Sequence, residues 1–168
     1  MLPKPQETIK VDVEGSEAVS TVLLQLINEF PGKAEKIAFS SLSETSGISL
    51  FPTAGSSVLY EETDICGHVT QICQYPFSVV YRCSPSTEQM RIKIKEFLDL
   101  LSKWLEKQDI IVDGKTYKLE EYPALSAGNR IIQSISRTNV AHLTATYQDG
   151  IEDWEVSMTL KYENEYDE

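Results

Sequence analysis

The sequence predicts an α+β fold: a single domain with a mostly antiparallel or mixed sheet and two main helices packed on it. Three observations lead there. Two stretches carry apolar residues at helical spacing, many short β-branched and aromatic runs lie between and after them, and no repeat or low-complexity linker divides the 168 residues. A chain of this length buries about 70% of its extended surface on folding, so a core needs neither metal nor disulfide.

The first helix is predicted over Ser16 to Phe30, where Val19, Val22, Leu23, Leu26, Ile27 and Phe30 form one stripe and Pro31-Gly32 supplies a stop. Residues 1–15 are assigned to an N-terminal arm and 16–168 to the domain. The second helix is predicted from the Ser86/Gln89 capping-box spacing to about Lys107, with Met90, Ile94, Phe97, Leu98, Leu101 and Leu105 on one face. Between the helices, "KIAFSSL", "GISLFP", "SSVLYEE", "HVTQICQY" and "FSVVYR" read as strands, the last two separated by a break at Tyr75-Pro76. After the second helix, "IIVDGKTYKL" is a hairpin around Asp113-Gly114, and "RIIQSISR", "HLTATY" and "DWEVSMTLKY" follow as strands. In the last, Trp154, Val156, Met158, Leu160 and Tyr162 alternate with polar residues.

Composition excludes some functions. With 15 basic and 26 acidic residues the net charge is -11, which argues against a phosphate-gripping surface. Eight acids against Lys161 alone lie between Asp149 and Glu168, a negative patch by composition. No uncharged apolar run is long enough to span a membrane, and the opening "MLPKPQETIKVDVEG" lacks a signal-peptide core. Three cysteines are therefore expected to be reduced thiols in a cytosolic protein.

Those cysteines fall within "ICGHVTQICQYPFSVVYRC" with one of two histidines. Cys66, His68, Cys73 and Cys83 lack the paired knuckles of a structural zinc site, and Cys73 and Cys83 fall in strand-like runs where a thiol packs as a small apolar group. No metal and no cofactor is expected. Nothing in the sequence brings His142 to Cys73 as a base, and the neighbouring carboxylates Glu61-Glu62 and Glu120-Glu121 would point to opposite faces of a strand. "ALSAGN" lacks the first glycine of a nucleophile elbow, and "FPGKAEK" the upstream glycine of a phosphate loop. No catalytic residue is assigned. Trp104 and most aromatics are expected in the core or on a sheet face, while Tyr75, Phe77, Tyr81, Trp154 and Tyr162 are candidate interface anchors together with Glu163, Glu165 and Asp167.

"SGISLFPTAGSSVLYEETDICGHVTQICQYPFSVVYRCS", "KIKEFLDLLSKWLEKQ", "YKLEEYPAL", "RIIQSISR" and "EDWEVSMTLKYENEYD", taken in order, resemble the minor capsid or tail-completion proteins of long-tailed bacteriophages and prophages. The resemblance spans roughly Phe30 to Asp167 and is similar to tail terminators, which implies a homo-oligomeric ring, usually a hexamer, on the head-proximal end of the tail tube. It implies as partners the tail-tube protein and the head-tail connector, with DNA passing through unbound, in the virion and in the host cytoplasm during assembly. The strand or interface segments it implies are Gln74 to Arg82 and Asp153 to Tyr162. Two other readings stand beside it: a capsid-side head-tail connector or minor capsid protein, and a small acidic inhibitory protein or one dependent on Cys66, His68 and Cys73.

Overall fold

A computed structural model describes residues 9–33 and 35–168. Its frame is a pair of 16-residue antiparallel strands, β4 (His68–Cys83) and β9 (Glu152–Asp167), in unbroken register from His68 opposite Asp167 to Cys83 opposite Glu152. Each long strand is flanked by a shorter, interrupted partner. Beside β4 run β2 (Gly47–Pro52) and β3 (Ser57–Thr63), one after the other and both antiparallel to it. Beside β9 run β7 (Arg130–Arg137) and β8 (His142–Thr146), placed in the same way. With β1 (Ile37–Phe39) added parallel to β2, the sheet has seven strands, and a separate hairpin pairs β5 (Ile110–Val112) with β6 (Lys115–Tyr117).

One alternation along the two long strands builds the core. Odd positions of β4 and even positions of β9 share a face, so Cys73, Tyr75, Phe77 and Val79 meet Tyr162, Leu160, Met158 and Val156 across the strands, all of them buried. Helices α1 (Val13–Asn28) and α2 (Glu88–Leu105) both cover this face: Ser20 of α1 meets the Tyr75 hydroxyl at 2.7 Å, and the Phe97 ring of α2 stands edge-on to Tyr81 at 5.5 Å. Phe30, just past α1, packs on Phe97 and Trp104, each at 5.6 Å between ring centres, and ties the helices together. Burying each such side chain contributes about 1.5–3 kcal/mol.

The structure corrects several expectations. α1 opens at Val13 because Asp12 caps it, accepting a hydrogen bond from the Gly15 N–H; part of the expected arm is thus helix, and residues 1–8 of that arm lie outside the described residues. Thr87, not Ser86, caps α2 by accepting from the Met90 N–H, and Ser86 turns its hydroxyl to the Met90 sulfur instead. Met90 is half exposed on the first turn of α2, off the buried stripe, and the helix ends at Leu105.

The predicted break at Tyr75-Pro76 is absent, for a physical reason. Pro76 sits where β4 changes neighbours from β3 to β2; residues 53–56 loop away there, and the Pro76 carbonyl accepts from the Thr53 N–H. A proline lacks only a donor, and at this gap no strand waits to receive one. At the Asp113-Gly114 turn both residues have positive φ, 50° and 78°, as a two-residue hairpin requires.

Candidate assembly surfaces

Sheet chemistry divides the molecule into a helix-covered face, an uncovered face and several edges. On the uncovered face lie the even positions of β4 and the odd positions of β9, among them Glu155, Glu163, Glu165 and Asp167, with Lys161 the basic residue of that β9 series. Register places Tyr60, Ile72, Glu163 and Ile131 in one row across four strands, and Glu62, Thr70 and Glu165 in the next. Glu163 accepts from Gln133 and lies close enough to Glu165 to share a proton with it, and that hydrogen bond raises its pKa. His68 Nδ1 lies 2.8 Å from Asp167, whose hydrogen bond raises the histidine's pKa, and its Nε2 lies 3.7 Å from Glu165.

The C-terminal acids are thus of two kinds, which composition could not separate. Glu152 and Asp153 are buried and paired within the chain. Arg82 grips Asp153 with Nε at 2.8 Å and Nη2 at 2.9 Å, Tyr147 donates to the same carboxylate, and the Arg82 hydrogen bond leads in lowering its pKa. Arg91 holds Glu152 at 2.9 Å, chiefly through a hydrogen bond that lowers the carboxyl's pKa, and Trp154 donates its indole N–H to it.

A third paired acid, largely covered, anchors the N-terminal segment. Asp12 receives Arg130 through Nε at 3.0 Å and Nη2 at 2.8 Å, and also the Tyr162 hydroxyl and the Gly15 N–H. Burial pushes this carboxyl's pKa up, but the three donors outweigh it and hold it below the usual value. Gly15 is required here because a Cβ would collide with Asp12 and the Tyr162 hydroxyl. Beyond it the helix-side face ends in a polar row: Lys10 to Glu61 at 2.6 Å, Gln71 to Glu61 at 2.7 Å and Asn164 to Gln71 at 3.0 Å.

Of the aromatic interface candidates, Tyr75, Phe77 and Tyr162 are corrected. All three are fully buried under α1 and α2, and Tyr162 is spent on Asp12, so none reaches a partner of the folded chain. Tyr81 and Trp154 are half buried opposite one another. Glu163, Glu165 and Asp167 reach the surface. The cysteines do not converge: Cys66 is exposed, Cys73 is buried, and Cys83 lies ten residues along the same strand, roughly 33 Å away. Burial raises the Cys73 thiol to about 11, and burial with the nearby Glu152 and Asp153 raises Cys83 to about 11. His142 bonds the Val140 carbonyl and lies on β8, away from all three. Among the described residues no three of His, Cys, Asp and Glu are grouped to hold a metal ion.

Three edges carry devices against strand addition. Asn28 serves β1 as a substitute strand, its side chain accepting from the Ile37 N–H at 2.8 Å and donating to the Ile37 carbonyl at 3.0 Å. On β7, the outward N–H groups of Ile135 and Arg137 are taken by the Tyr122 hydroxyl and the Glu106 carboxylate. β8 is bent by a bulge between Leu143 and Ala145.

No family model matches this chain, and no curated protein matches it. Among solved structures, a chain from a virion of a native gene transfer agent particle aligns with 90% of this chain and 98% of its own length, at 11% identity and a TM-score of 0.49. That likeness is distant.

Proposed function

We propose that this protein is a virion structural component of a tailed phage or phage-like particle, and specifically a tail-terminator-like subunit whose ring caps the tail tube and meets the head connector. The observation that carries the reading is the uncovered sheet face, to which Glu62, Glu155, Glu163, Glu165 and Asp167 all bring carboxylates. A lumen wall of this sign repels phosphate, so DNA slides past without a tight binding step. The ordered segment resemblance across Phe30 to Asp167 supports the same reading, and head-to-tail contacts repeated by cyclic symmetry suit a cap that closes one tube end.

Reconstitution with purified tail-tube subunits tests it. A terminator stops tube growth and forms one ring of density at one end in electron micrographs. Unchanged tube lengths with no terminal ring would remove the terminator role and favour a capsid-side adaptor.

A further inference from the structure

The edge opposite β7 is built differently from the others. Residues 9–12 run beside β3: Val11 pairs with Ser57, the Lys10 carbonyl accepts from the Val58 N–H at 2.9 Å, and the Asp12 N–H donates to the Ser56 carbonyl at 3.0 Å. In such a pair the groups of residues 10 and 12 point inward, so the N–H and C=O of Val11 point out of the sheet. Among the described residues neither group has a hydrogen-bond partner, and this edge has neither the side-chain caps of β1 and β7 nor the bulge of β8. Three β-branched side chains line it, Ile9 at 75% exposure, Val11 at 64% and Val13 at 63%, and Leu59 and Tyr60 of β3 lie exposed beside them. The segment is nonetheless firmly held, by the Asp12–Arg130 pair at one end and the Lys10–Glu61 pair next to it.

We infer that the outer edge of residues 9–12 is a docking site for an extended, lysine- or arginine-bearing segment of another polypeptide, which adds to the sheet as a further strand. An extended partner satisfies the Val11 groups and packs apolar side chains on Ile9 and Val11. The surroundings set the partner's charge. Lys10 and Asp12 are already neutralised within the chain, whereas Glu14, although 3.9 Å from the Arg130 that Asp12 engages, stays 73% exposed at the helix end of the edge, and Glu17 of α1 and Glu62 of β3 are exposed as well.

A second copy fits poorly. Its β1 and β7 edges are capped and its β8 edge is bent by a bulge, its own residues 9–12 are short before α1 turns away, and it would bring another -11 charge to the same acidic rim. The inference holds whether or not the chain forms a ring.

The test is an NMR titration of the whole protein with the synthetic peptide acetyl-KVKVKV-amide, with acetyl-EVEVEV-amide as the charge control. Binding of the lysine peptide shifts the Val11 and Ile9 amide signals and slows Val11 hydrogen exchange, and the glutamate peptide has no effect. Val11→Pro removes the outward N–H while keeping both inward bonds, and is expected to bind about tenfold more weakly. Val11→Lys retains the N–H but loses apolar contact and adds positive charge, so it also binds more weakly and serves if the proline variant is unfolded. Equal binding by both variants, or equal binding of the two peptides, would overturn the proposal. So would a Val11 amide already protected in the free monomer, which would mean that residues 1–8 cover the edge, or a dimer in sedimentation that Val11→Lys abolishes.

Discussion

Arg130 grips Asp12 with two parallel hydrogen bonds, 2.8 and 3.0 Å, across 118 residues of chain. The contact joins the cap of α1 to the start of β7, and both side chains are only 10% exposed. Removing one partner strands the other, so Arg130→Ala should destabilise the fold by about 3 kcal/mol in urea denaturation, with Arg130→Lys intermediate because it cannot form the fork. The pair also sets an acid limb. Asp12 is depressed below its ordinary 3.8, so its contribution is present above that pH and is lost as pH falls below it toward the folded value. Arg130→Ala should flatten that limb, and an unchanged slope below pH 4 would contradict the assignment.

Gly15 inverts the usual rule that alanine strengthens a helix. Alanine would gain about 1 kcal/mol of propensity, but its methyl group would push into Asp12 and the Tyr162 hydroxyl. Gly15→Ala should therefore lower Tm by several degrees, whereas a Tm rise would show that the Asp12 cluster yields easily.

Proline tolerance should differ sharply between the two long strands. Pro76→Val is expected to change stability by less than about 1 kcal/mol, since no ladder donor is missing there. Leu160→Pro falls between β4 and β7, where a donor is needed, and should prevent cooperative folding. Circular dichroism melts of both variants check this.

The three thiols should separate by reactivity. At pH 8 a disulfide reagent is expected to label Cys66 first in the native protein and all three after unfolding, because Cys73 is buried, Cys83 is half-buried and both thiols are held near 11. Fast native labelling of Cys73 would contradict its place in the core.

His68 titrates above its ordinary 6.5 because Asp167 hydrogen-bonds its ring. Whatever stability this contact adds is complete below 6.5 and lost as pH rises through the folded pKa. Asp167→Asn should move the histidine's NMR titration midpoint back toward 6.5, and no movement would mean that the pair does not form in solution.

Periodicity made the elements legible. The stripe from Val19 to Ile27 and the alternation from Trp154 to Tyr162 each bury one face against a single core, and such burial writes itself into sequence. The Pro76 break misled because a proline's tolerance depends on which neighbour lies beside it, a fact of register between distant strands. The acidic end misled in the same way: Glu152 and Glu155 look alike in sequence, but one meets Arg91 and the other lies on the uncovered face. Tyr75, Phe77 and Tyr162 were plausible anchors by residue type, and only the placement of two helices over them shows otherwise. The edge formed by residues 9–12 had no sequence signal, because its pairing partner lies more than forty residues on and the whole contact is backbone.

The pairing of β4 with β9 also governs the order in which the chain can fold. Gln71 meets Asn164 across 93 residues, and β2, β3, β7 and β8 all dock on one of the two long strands. Such non-local closure slows the search, and while β9 is still being synthesised, the apolar side of β4 lacks its partner. Refolding on a slow timescale, and aggregation of chains truncated before Glu152, are the kinetic signature of a sheet whose centre is its last strand.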